Sequence, residues 1–201
     1  MWMLKKGITL ALLVLFSLPA TAGLSLEETA RKVIIGFQQE DAQLINSLID
    51  KKTGLYVLFQ RGASMDVENF KSIDFKTPVP EYLLWPSAGE HIPRDEEFDK
   101  KTIPEFDCER GWNKHGYFIS SSDTHHKVSR NLVFTQMFGS PRNTISDAQI
   151  AAARRMEYGA VRVVAAPEGG SDGLVFYLSQ LYGYDRDWYL TVVDQIGDCG
   201  A

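Results

Sequence analysis

The chain is 201 residues long, 44% hydrophobic, 23% charged and 11% aromatic, with 26 acidic against 21 basic residues and a formal net charge of −5. It is too apolar and too weakly charged for intrinsic disorder, and it lacks the glycine period of a collagen. A net negative chain is repelled by phosphate backbones, so no nucleic-acid partner is expected.

Residues 1–22 read as a secretory signal peptide. Lys5 and Lys6 form a short positive region, an apolar run follows from Ile8 to Leu18, and Ala20-Thr21-Ala22 is a small-residue cleavage site before Gly23. The apolar run is roughly half of the ~20 residues needed to span a bilayer, so it is not a transmembrane anchor. The expectation is a secreted or periplasmic protein that does not span the membrane after cleavage. Residues 23–201 are expected to form a single α+β domain.

Ser25-Leu26-Glu27-Glu28 is a capping box, and Ala30, Val33, Ile34 and Phe37 continue it at helical spacing, which predicts a helix over 26–38. Asp41 starts a second helix with Leu44, Ile45, Leu48 and Ile49 as its stripe, and Gly54 ends it. Leu55 to Phe59 is strand-like. Val67 and Phe70 suggest a helical turn or two over 66–72. Five prolines between Thr77 and Pro104 forbid long regular elements, and Tyr82, Leu83, Leu84 and Trp85 among them predict an ordered, aromatic-anchored loop over 77–104.

Gly116 to Ser120 reads as a strand, and 126–138 fits a helix only loosely, with Gly139 as its stop. Ser146 and Gln149 form a second capping box, and Ile145 with Ile150 a hydrophobic staple, for a helix over 147–157. Three β-type runs follow at 158–165, 174–182 and 188–196, separated by Gly/Asp-rich turns. The fold class expected is therefore α+β, with N-terminal amphipathic helices packed on a C-terminal antiparallel sheet that contains a three-strand meander. Apolar residues on both sides of the 174–182 strand predict that both sheet faces are covered, one by the N-terminal helices and the other by the proline-rich loop or a second subunit.

The two N-terminal helices, the run Gly54-Leu55-Tyr56-Val57, and the closing runs Leu174-Val175-Phe176-Tyr177 and Asp187-Trp188-Tyr189-Leu190-Thr191-Val192-Val193-Asp194 resemble exported bacterial domains of unassigned role. More distantly they are similar to the nuclear transport factor 2-like superfamily, the cone-shaped α+β fold. That resemblance implies either an enzyme or a non-catalytic binding or assembly module, since the superfamily hosts both.

Cys108 and Cys199, both beyond the leader, are expected to form a disulfide in an oxidising compartment. Closing a loop of roughly 90 residues contributes about 4–5 kcal/mol at most in the chain-entropy picture. Asp123, His125 and His126 are the metal candidates by donor type, but adjacent histidines diverge and a solvated loop is the commoner reading. Asp194 is the candidate acid–base residue. If Trp188, Leu190 and Val192 face the core, alternation puts Asp194 on the same face, where apolar surroundings favour a general base; Arg162 is its candidate ion-pair partner.

Tyr82, Trp85, Trp112, Tyr117 and Tyr177, with Tyr56 and Trp188, are candidates to line a ligand groove. No nucleophile elbow or phosphate-binding loop is present, and no cofactor is implied. The leading expectation is an exported, non-catalytic domain that binds a small ligand or an envelope partner. The alternatives are a small hydrolase or isomerase using Asp194 with a histidine partner, and a structural homodimer joined through the sheet face.

Overall fold

A computed structural model describes residues 23–62, 64–86, 95–107, 109–120, 126–139, 144–168, 173–183 and 187–195. Both cysteines, the expected leader (residues 1–22), and the candidates Asp123 and His125 lie outside these residues. The described chain is a mixed α+β structure with four helices and a seven-stranded mixed sheet.

Helix α1 (Leu26–Gln38) starts at the capping box, with the Glu28 amide donating to Ser25 Oγ at 3.2 Å and the Ser25 amide to Glu28 Oε2 at 2.8 Å. Helix α2 (Ala42–Ser47) is capped by Asp41, whose Oδ1 accepts from the Leu44 amide at 2.9 Å. Strands β1 (Leu55–Arg61) and β2 (Ser64–Phe70) form an antiparallel hairpin. The helical turn expected over 66–72 is therefore a strand instead. Met65 and Val67 pack on one face while Asp66 and Glu68 alternate with them, and the turn that fixes this register begins at Gly62 with φ +60°.

Residues 77–86 of the proline-rich segment carry no regular element. Three short strands follow: β3 (Phe98–Asp99), and the pair β4 (Phe106–Asp107) and β5 (Gly111–Trp112). Next come β6 (Gly116–Ser120), α3 (Lys127–Phe138), α4 (Asp147–Glu157), β7 (Val161–Ala166), β8 (Leu174–Ser179) and β9 (Tyr189–Asp194). The strand order is β2-β1-β9-β8-β7-β6-β3. Most neighbours are antiparallel, but β1 runs parallel to β9 and β3 parallel to β6, so the sheet is mixed, and it draws its strands from both ends of the chain.

Side-chain alternation divides the sheet into two buried faces. Val57, Phe59, Val163, Phe176 and Val193 form one cluster with Val33, Ile34 and Phe37 of α1 and Ile45 of α2. Leu58, Val164, Val175, Tyr177 and Val192 form the other with Val128 and Leu132 of α3 and Ile150, Ala153 and Met156 of α4. The second face is thus covered by α3 and α4, where the sequence suggested the proline-rich loop or another subunit. Val175 and Tyr177 on one side of β8, with Leu174, Phe176 and Leu178 on the other, are the residues that require two covers.

A register shift interrupts the β8–β9 ladder. Leu190 is opposite Leu178 and Val192 is opposite Tyr177, leaving Thr191 as the extra residue. Its hydroxyl donates to the Tyr177 carbonyl at 3.2 Å and lies 2.9 Å from the Ser179 hydroxyl, which satisfies the bulge locally. The bulge breaks the expected alternation: Leu190 points to the α1/α2 side and Val192 to the α3/α4 side.

Candidate functional site

Two polar arrangements and one open cleft lie on the α3/α4 side. The first is built by Glu157, the last residue of α4. Helix α3 begins at His126, whose side chain makes no cap bond. Its first amides are satisfied instead by Glu157: Oε1 accepts from the Val128 amide at 2.8 Å, and both carboxylate oxygens lie 3.3 Å from the Ser129 amide. A buried carboxylate at the positive end of a helix is a favourable pairing. His126 Nδ1 stands 3.9 Å from Glu157 Oε2 and is half exposed.

The second is the ion pair of Lys127 Nζ with Asp194 Oδ2 at 2.8 Å. The Asp194 side chain is only 2% exposed and that of Lys127 26%. Beyond the bulge, Asp194 falls on the face of Val192 and reaches the start of α3. The void beside the pair, lined by Leu58, Val128, Ala160, Tyr177 and Val192 among others, is about 10 Å³, room for roughly one water and for no substrate. Lys127 is the partner that sequence reasoning missed, because its neighbourhood with Asp194 depends on where α3 docks.

The proposed groove aromatics are divided between the faces. Tyr117 is buried on the α1/α2 side against Phe98, and Trp85 packs edge-on to Phe37 and Phe75 at 6.2 Å with its indole N–H donating to the Asp74 carbonyl. Trp112 and Tyr177 are buried on the α3/α4 side. Tyr82 is exposed, its hydroxyl donating to the Gln60 carbonyl at 3.2 Å. Among the described residues Trp85 borders a pocket of about 400 Å³ and Tyr177 the small void beside Lys127. Among the described residues no group of three potential metal ligands comes together, and no helix is long and apolar enough to cross a membrane.

A cleft of about 610 Å³ lies between the β1–β2 hairpin and α4. Its floor is apolar, with Tyr56, Val67, Leu132, Ile145, Met156 and Leu181. Its rim carries Lys52, Lys71 and Arg155, with Glu68 as the one carboxylate. Of the aromatics named from sequence, Tyr56 is the one in this cleft. Burial, and then the neighbouring Glu157 charge, push its phenol above the ordinary tyrosine value, so it stays a neutral donor.

The rim is held by Asp50. Its Oδ1 accepts from the Thr53 amide at 2.6 Å and the Lys52 amide at 3.1 Å, and its Oδ2 accepts from the Tyr182 hydroxyl at 3.1 Å. Burial, the largest single influence, pushes the Asp50 carboxyl up, but the Thr53, Tyr182 and Lys52 hydrogen bonds together outweigh it and hold the group below its ordinary value. Lys52 Nζ lies over the Tyr182 ring at 5.8 Å, and Lys71 Nζ donates to the Lys52 carbonyl at 2.7 Å. These cations come from the turn before β1, the bend after β2 and helix α4, which no sequence motif joins, and so the cleft has no local signature.

No protein family, no curated protein sequence and no solved structure gives a match to this chain.

Proposed function

We propose that this is an exported, non-catalytic α+β domain that binds a small ligand in the cleft between the β1–β2 hairpin and α4. The observation that carries the reading is the cleft itself. Its volume, about 610 Å³, lies within the roughly 300–1,000 Å³ usual for small-molecule sites, and an apolar floor with few polar anchors is the usual lining. Export rests on the leader, with Lys5, Lys6 and the Ala20-Thr21-Ala22 site.

The acid–base alternative has less support. The Asp194 carboxylate is engaged by Lys127, and the described void that Lys127 borders has room for about one water. The homodimer through a sheet face requires an open face, and both faces are occupied by helices of the same chain.

The test is a thermal-shift screen of a metabolite library against the mature protein and against Ala152→Trp. Ala152 is exposed on α4 and lines the cleft, so an indole there intrudes on the ligand's space. Compounds that stabilise the parent and fail to stabilise Ala152→Trp support the cleft. Hits that act equally on both place binding elsewhere and end this reading.

A further inference from the structure

Resting on the cleft reading, we infer that the ligand is an amphiphile with one anionic head and an aliphatic tail. The argument is charge complementarity over an apolar floor. In a chain of net charge −5, the cleft rim gathers Lys52, Lys71 and Arg155 against Glu68 alone. Glu68 also borders the separate Trp85 pocket, so its charge is shared between two openings.

The cations are not consumed by carboxylates. Lys71 is bonded to a backbone carbonyl and Lys52 rests on a ring; neither contact neutralises an ammonium. No ion pair to Arg155 exists among the described residues. All three sit at the water-facing rim, while Val67, Leu132, Ile145, Met156 and Leu181 supply the floor. A head group at the rim gains Coulomb attraction without the cost of burying a charge, and the tail gains from leaving water.

The arrangement is also pre-built. Asp50 fixes the Lys52–Thr53 backbone and the Tyr182 hydroxyl, and Asn69 Nδ2 donates to the Thr53 carbonyl at 3.1 Å, tying that loop to β2. A braced rim loses little freedom when a ligand arrives. The neutral Tyr56 hydroxyl adds a donor, not a competing negative charge.

The experiment is titration calorimetry on the mature protein below micelle concentrations, with dodecanoate, dodecyltrimethylammonium and dodecyl maltoside as probes. Dodecanoate is expected to bind at least tenfold tighter than the other two and to weaken as salt is raised. In Lys52→Glu/Arg155→Glu, with an unchanged far-UV spectrum, its affinity is expected to fall at least tenfold while the maltoside is unaffected. Ala152→Trp is expected to block dodecanoate. Equal binding of the three probes, or dodecanoate binding that survives the charge reversal, overturns the anionic head but leaves the cleft intact. Dodecanoate binding that survives Ala152→Trp overturns the cleft as well. Failure of all three probes overturns the amphiphile, and the library screen then decides the cleft separately.

Discussion

Glu157 closes α4, where a carboxylate faces the negative end of its own helix, and Arg154 and Arg155 in the same turn offset that cost. Its position is explained by the amides of Val128 and Ser129, which the N-cap residue His126 does not accept with its side chain. We predict that Glu157→Ala destabilises the fold by about 2–3 kcal/mol, the usual cost of leaving buried donors unmade. Glu157→Gln keeps one acceptor and should cost less; urea unfolding of the pair measures both. A result in which both variants match the parent removes the cap. Lys127→Met leaves the Asp194 carboxylate without this partner and is predicted to cost about 2 kcal/mol, discounted for the partial exposure of Lys127. Adding Asp194→Asn should restore part of that loss. An additive double mutant would show that the two groups do not interact.

Asp50 gives a pH signature. Its folded pKa is depressed, so its contribution is complete above the unfolded value of 3.8 and is lost as pH falls from there through the lower folded value. Asp50→Asn is therefore predicted to flatten the acid limb of the stability curve below about pH 4, the ordinary aspartate range, without changing its slope near neutrality. An acid limb identical to the parent's would count against this. Of these residues only Asp194 was singled out from sequence. Glu157, Lys127 and Asp50 act on partners that folding brings near or on backbone amides, and no local pattern announces a carboxylate's tertiary acceptor role.

At the scale of elements, legibility followed the locality of the signals. The starts of α1 and α4 are legible because both partners of each capping box lie within four positions. Ser146→Ala should cost about 1 kcal/mol, the normal value for a lost N-cap, read as a fall in urea midpoint with constant slope. Helix α3 read weakly because its cap comes from another helix. β2 was misread because Val67 and Phe70 also satisfy an i, i+3 spacing, and because an edge strand carries charges such as Asp66 and Glu68 that blur its alternation. The placement of Asp194 needed the Thr191 bulge, which period-two counting cannot anticipate. Two glycines in this part of the chain are predicted to differ. At Gly62, φ +60°, an added Cβ meets nothing, so Gly62→Ala should cost only about 1 kcal/mol of backbone strain. At Gly54, φ +77°, the Cβ would stand 2.7 Å from the Phe70 carbonyl oxygen, so Gly54→Ala should cost clearly more. Equal losses would sink the contrast.

Among the described residues, helix side chains cluster with both sides of the sheet, and the apolar pattern of β8 already demanded two covers without saying which elements supply them. The pairing of Cys108 with Cys199 remains our proposal from their number and their place beyond the leader. We predict no free thiol in the unreduced mature protein; finding two would remove the bridge. The strand order carries a further consequence. Strand β9 lies between β1 and β8, so residues 189–194 join the β1–β2 hairpin to the rest of the sheet. A chain in which this strand has not yet paired lacks the piece that joins the two parts. It should stay loose until β9 docks, then close slowly, as sheets assembled from distant partners do. A version ending at residue 187 should accordingly never become protease-resistant.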